Sequence, residues 1–225
     1  MCGRYVLSQR ASVYADWFGA GVVKTEELAP NYNVAPTDPV YAVAEYEGER
    51  QLGSFRWGLV PWFSKDRKTA ARHINARVET VATKPSFKDS LVSKRCLVPA
   101  DGFYEWQRMP DDKGKLPHFI HSASAEPLAF AGLWASWKDP ETNERLKTCT
   151  ILTGEPSALV KPIHDRMPVI LDRALWDAWL GASEDVEELL GLLTSRPPVD
   201  VALHPVSTLV NSVKNNLPEL IEPLH

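Results

Sequence analysis

The chain has 225 residues, 44% hydrophobic and 24% charged, with a net charge of −4, an ordinary globular composition with room for one large domain or two small ones. No apolar run reaches the ~18–20 residues that span a bilayer, and the first residues carry no apolar segment with a small-residue cleavage site. Cys2, Cys96 and Cys149 lie far apart, which argues against a disulfide framework and a CxxC zinc site, so a cytosolic or nucleoid-associated protein is expected.

In chain order, Ser8 can cap a helix running to Phe18, with Tyr14, Trp17 and Phe18 on its apolar side and Gly19 ending it. Residues 29–39, APNYNVAPTDP, read as an ordered loop. Strands are expected at Val40–Tyr46, Gln51–Leu59, Arg95–Val98, Gly102–Arg108, His118–His121, Leu128–Trp137 and Lys147–Thr153. Pro85 suits the first turn of a helix over Ser86–Ser93. Met167–Leu171 reads as a further strand, Arg173–Leu180 and Glu184–Leu193 as helices, Arg196-Pro197-Pro198 as a turn, and Val201–Val206 as the last strand. These elements describe an α+β fold, a single domain over residues 1–225. Its core is a curved, largely antiparallel, barrel-like sheet with helices around it.

Charge is unevenly spread. Ser64–Arg95 holds nine basic and three acidic residues, a local +6 against −10 elsewhere. Such a field can draw in an anionic ligand, or it can be a solvated face. Just ahead of it runs FRWGLVPWF, residues 55–63, and aromatics interleaved with bases are a feature of single-strand binders. Most of these aromatics belong in a core. Trp62, next to Pro61 and close to Lys65, is the one expected to be exposed.

Four stretches could carry chemistry. Cys2 lies directly behind the initiator methionine, where order is poor unless the chain is tied down, so it makes an unlikely core residue. Loss of Met1 would leave a 1,2-aminothiol, whose amine, with a pKa of about 8, is partly neutral at pH 7. In His73–Glu79, Asn75 and Arg77 can share one side of an extended segment, or Asn75 can cap a helix. In DGFYEW, residues 101–106, Glu105 points inward if Tyr104 and Trp106 face solvent, and is otherwise a surface glutamate. In IHDRMP, residues 163–168, His164 can move protons and Arg166 can hold phosphate, though a structural histidine is the simpler reading.

Taken in order, MCGRY, NYNVAP, WGLVPWF, INARVET, DGFYEW, IHDRMPVIL, HPVS and VKNN resemble the SRAP (SOS response-associated peptidase) family of abasic-site processing proteins along essentially the whole chain. The resemblance implies single-stranded DNA containing abasic sites as partner and a covalent crosslink through Cys2. Asn75, Glu105 and His164 would complete the active site, with Glu105 as general acid–base and His164 stabilising a sugar hydroxyl. Strand contacts would fall to Arg4, Asn33, Arg77, Thr153 and Arg166, with Trp62 and Trp106 as apolar shelves. It implies that amine and thiol of Cys2 close on the sugar aldehyde as a thiazolidine, after a loss of Met1 that can be autocatalytic. No cofactor, metal or membrane is expected, and the chain is expected to act as a monomer. Rival readings are an N-terminal-cysteine peptidase or amidase, and a non-catalytic single-strand binder.

Overall fold

The computed structural model describes residues 2–110, 114–195 and 199–224; the turn expected at Arg196-Pro197-Pro198 lies outside them. Among the described residues, thirteen strands and five α-helices follow one another: β1 (Tyr5–Leu7), α1 (Ala11–Phe18), β2 (Val22–Lys24), β3 (Asn31–Val34), β4 (Pro39–Tyr46), β5 (Glu49–Trp57), β6 (Asn75–Arg77), α2 (Val78–Val81), α3 (Lys88–Ser93), β7 (Arg95–Ala100), β8 (Gly102–Arg108), β9 (Lys115–Ser122), β10 (Leu128–Lys138), β11 (Arg145–Gly154), β12 (Met167–Pro168), α4 (Trp176–Leu180), α5 (Val186–Thr194) and β13 (Val201–Pro205). Among the described residues, no helix is long and apolar enough to cross a membrane.

The strands make the expected barrel-like core. β11, β10, β7, β4 and β5 are hydrogen-bonded in that order, and a short parallel pairing of β5 with β11, Arg56 beside Thr148 and Trp57 beside Cys149, closes the ring. Closure removes the exposed edges that an open sheet would leave. A second sheet, ordered β13-β9-β8-β1-β3, is antiparallel throughout.

Alternation along β1 and β8 joins two cores. Tyr5 and Phe103 belong to the large core, whereas Val6 and Tyr104 join Phe119, Val206, Val210 and Leu220 in a smaller one under the C-terminal segment. Tyr5 meets Trp57 and Phe130 edge to face, with ring centroids 5.1 and 6.0 Å away, a favoured aromatic geometry. The chain start is thereby anchored, and Cys2 is fully buried in the large core. This corrects the view of Cys2 as an unlikely core residue: β1 supplies the tether that a terminus ordinarily lacks.

Other expectations change for local reasons. Ser8 does not cap α1, because its backbone N–H and hydroxyl both donate to Asp101 Oδ2 at 2.7 Å. Gly19 does end α1, in the left-handed conformation at φ 64°. The loop over 29–39 contains β3, paired with β1. β5 stops at Trp57 because Gly58 turns at φ 123°, where a Cβ would lie 2.5 Å from the Ala70 carbonyl oxygen. The helix after Pro85 starts only at Lys88, the strand at Met167 is two residues long, and Arg173–Leu175 is a 3-10 turn leading into α4. Arg95 does not belong to the basic field. It is buried, and its guanidinium donates to the carbonyls of Leu91, Val92, Trp179 and Gly181, tying the ends of α3 and α4 to the barrel.

Gly102 shows how tightly β8 is seated. A Cβ there would fall 2.4 Å from the Phe119 ring and 2.6 Å from the Ile120 carbonyl oxygen. Gly102→Ala is expected to destabilise the fold by about 1–3 kcal/mol, as overpacking does. A thermal melt should show this as a loss of several degrees, and an unchanged midpoint would mean that β8 can shift freely.

Candidate active site

Three chain segments converge on Cys2 and the segment that leads into β1. β8 pairs with β1, Tyr5 opposite Phe103, and the Tyr104 N–H donates to the Arg4 carbonyl at 3.0 Å. β6 lies parallel to β11 with Asn75 beside Ile151, and its approach is held by Trp57 Nε1, which donates to the Ile74 carbonyl at 2.9 Å. His164 follows β11 through a turn in which its N–H donates to the Val160 carbonyl at 3.1 Å.

Asn75 Nδ2 donates to the Cys2 carbonyl at 2.7 Å, fixing the residue that carries the thiol. Its Oδ1 is buried with no hydrogen-bond partner among the described residues, leaving an acceptor within the site. Glu105 is 2% exposed. It is inward-facing as one reading of the sequence required, but not because its neighbours face solvent. Tyr104 is fully buried and Trp106 packs beside it in the smaller core, because the C-terminal segment covers that face of the sheet. Both faces of β8 are therefore covered.

Burial dominates the electrostatics. It raises the Glu105 carboxyl from 4.5 to about 7, and Asp165 adds to the effect. Burial pushes the Cys2 thiol well above its ordinary value, with the Glu105 charge adding to it, so this sulfur remains a thiol at neutral pH. His164 is pushed down, chiefly by burial, and is neutral at pH 7. Its Nε2 stands 3.8 Å from Glu105 Oε2. Its Nδ1 accepts from the Arg166 N–H at 3.0 Å, and Asp165 Oδ1 stands 2.9 Å from the same nitrogen. Among the described residues, no three His, Cys, Asp or Glu side chains are grouped to hold a metal ion.

Around this centre the seven expected strand-contacting residues fare differently. Arg77 is exposed on β6, and Trp62 is 66% exposed with Phe63 packed edge-on at 5.6 Å. Trp62 Nε1 donates to Asp89 Oδ2 at 3.3 Å. Arg4 donates to Asn33 Oδ1 at 2.7 Å and to the Val210 carbonyl at 3.0 Å. Trp106 Nε1 donates to Asn211 Oδ1 at 2.7 Å. Asn33 is buried, and its Nδ2 serves the carbonyls of Val210, Ser212 and Asn215. It therefore shapes the 210–215 loop and holds Arg4 instead of presenting its amide to a ligand. Thr153 is likewise buried, and its carbonyl accepts from Arg166 Nη2 at 2.8 Å. The guanidinium of Arg166 is engaged by both oxygens of Glu79 at 2.6 and 2.8 Å.

Sequence reasoning missed Asn211 and Glu79 as parts of this neighbourhood. Glu79 lies within INARVET and was legible as a motif residue, while Asn211 lies between HPVS and VKNN with no signal of its own. The last motif acquires a place here. Asn216 Oδ1 accepts from the Tyr32 N–H at 2.7 Å, and its Nδ2 donates to the Pro30 carbonyl at 3.0 Å, so NYNVAP and VKNN interlock beside Arg4.

Known proteins resemble this chain in sequence and in fold. Abasic site processing protein YoqW of Bacillus subtilis (strain 168) is 45% identical over 224 residues, covering 99% of each chain. Abasic site processing protein HMCES of Gallus gallus is 37% identical over 267 residues, covering 100% of this chain and 78% of that one. A crystal structure of a protein from Bacteroides thetaiotaomicron superposes with a TM-score of 0.86 at 24% identity, covering 100% of both chains, a likeness of fold. The family model described as SOS response associated peptidase (SRAP) matches residues 1–213, and with relatives of such identity along its whole length this chain belongs to the SRAP family.

Proposed function

We propose that this protein processes abasic sites in single-stranded DNA by closing the 1,2-aminothiol of Cys2, freed by removal of Met1, on the sugar aldehyde. The observation that carries the reading is the contact set around Cys2: Asn75 on its carbonyl at 2.7 Å, and a buried Glu105 facing His164 across 3.8 Å. The relatives' names supply the substrate class.

The abasic sugar is mainly a closed ring, and opening it exposes the C1′ aldehyde. As the ring opens, the proton of the C1′ hydroxyl passes to the ring oxygen, which His164 Nε2–H stabilises with a hydrogen bond. The Cys2 amine then adds to C1′, one of its two protons passing to the aldehyde oxygen, and a protonated Glu105 gives its proton to the departing hydroxyl, releasing water and leaving a protonated imine beside the Glu105 carboxylate. The thiol adds across the C=N bond, sulfur bonding to C1′. Its proton leaves to the Glu105 carboxylate, and the ring nitrogen takes back the C=N electron pair and keeps the proton it already carries, so the acid is restored. Aldehyde and aminothiol thus give a thiazolidine and one water. A thiol held protonated by burial suits this order, since the amine attacks first. Closing the ring removes the imine that would lead to β-elimination and strand cleavage.

Incubation with an abasic single-stranded oligonucleotide, followed by a denaturing gel, should show a heat-stable shifted band that an intact strand does not give. Equal binding of both strands without a covalent band would reduce the protein to a binder. Arg77→Ala should weaken binding of abasic and intact strands alike, because a phosphate contact is blind to the base. It should also reduce the slope of log affinity against log salt by about 0.7, the value of one phosphate on a single strand. Unchanged affinity on both would take Arg77 off the strand path.

A further inference from the structure

Arg166 is built as a strut. Both oxygens of Glu79 accept from its guanidinium at 2.6 and 2.8 Å, and Nη2 also donates to the Thr153 carbonyl at 2.8 Å. Paired parallel hydrogen bonds of this kind fix orientation as well as charge. The strut joins two parts of the site. Glu79 lies on α2, directly after the β6 strand that carries Asn75 and Arg77, while Arg166 lies two residues beyond His164.

The backbone of Arg166 does the rest. Its N–H donates to His164 Nδ1 at 3.0 Å. On the same nitrogen, Asp165 Oδ1 approaches to 2.9 Å. A neutral ring accepting from Arg166 carries its proton on Nε2. A ring that turned to donate to Asp165 would carry it on Nδ1 and present a bare Nε2 to Glu105. Which nitrogen holds the proton is set by the hydrogen bond its partner nitrogen makes.

We propose that Glu79 is a positioning residue for His164: by clamping Arg166 it holds the Arg166 N–H on Nδ1 and keeps the Nε2–H tautomer aimed at Glu105. The inference rests on the role proposed above for His164 Nε2–H at the sugar oxygen, and it gives Arg166 a different first duty from holding phosphate. The Glu79 carboxyl is half-exposed, and exposed ion pairs contribute little to stability, about 0–1 kcal/mol. Its variants should therefore fold, leaving geometry as the property they probe.

The test uses the full chain, isotopically labelled, at pH 7.5. Long-range ¹H–¹⁵N correlation of the His164 ring should report the Nε2–H tautomer in the unaltered protein and a mixture of tautomers in Glu79→Gln. Arg166→Lys, which loses the paired geometry but keeps the charge, should give the same mixture. Crosslinking to an abasic strand should slow in both, by up to about 10²-fold, the scale at which misplacement of a reacting group is felt. Affinity of Glu79→Gln for an intact single strand should stay within twofold. A His164 tautomer unchanged in both variants would overturn the proposal whatever the rate did. So would Glu79→Gln binding the intact strand more tightly at an unchanged rate, which would make Glu79 a mere occupant of a phosphate site. The tautomer measurement needs no crosslinking, so a protein that formed no adduct would sink the functional reading and still leave the clamp decidable.

Discussion

Cys2→Ala, with Met1 removed, is expected to form no heat-stable crosslink on abasic single-stranded DNA. The variant keeps the amine and loses the thiol, so it can reach an imine but has no sulfur to close the ring. Borohydride should trap that imine as a stable band, and without borohydride the strand should be cleaved. Blocking the amine instead, with an uncleaved peptide ahead of Cys2, leaves the thiol on an amide nitrogen that is not nucleophilic. Neither imine nor ring should then form, with or without reductant. A buried thiol whose charged form is disfavoured is a poor lone nucleophile, which is why the blocked protein should be the more inert of the two. Both proteins should still bind intact single strands, since the exposed Arg77 and Trp62 are untouched. Full, stable crosslinking by a protein whose blocking peptide mass spectrometry shows to be intact would falsify the aminothiol mechanism.

Glu105→Gln should slow crosslinking by about 10²–10⁴-fold, the usual worth of a positioned general acid–base, with strand affinity little changed. The side chain keeps its shape and loses its proton. In the unaltered protein, Glu105 stays protonated up to about pH 7 when folded but only to 4.5 when ordinary. The folded state therefore binds a proton that the unfolded chain has released across that window, and stability falls as pH rises from about 4.5 to 7. Gln removes both the proton and the penalty of a buried charge. At pH 8 the variant should melt no lower than the parent, and its crosslinking rate should lose the inflection near pH 7. A normal rate, or a slow rate accompanied by a lower melting midpoint at pH 8, would assign Glu105 to the architecture.

By itself, the sequence determined the α+β class, most strand positions and the roster of motifs. Those rest on local properties: runs of apolar, β-branched and aromatic residues in β4, β7, β8, β10 and β11, and the left-handed glycine that ends α1. It also placed Trp62 correctly on the surface, from a proline and a lysine close by. What it could not show were the elements that depend on distant partners. β1, β3 and β6 are three or four residues long, too short to carry a period, and exist because β8, β1 and β11 supply their hydrogen bonds. Only tertiary structure could decide between Arg95 as a surface charge and Arg95 as a buried tie for helix ends, or between Asn33 as a contact and Asn33 as a loop organiser. The same is true of Glu105. Alternation places it opposite Tyr104 and Trp106, but which face sees water depends on distant chain: the large core lies on the side of Phe103 and Glu105, and the C-terminal segment, more than a hundred residues along, covers the side of Tyr104. Burial is a property of what lies on the other side, and a carboxyl becomes a neutral-pH acid only when the fold has removed its water.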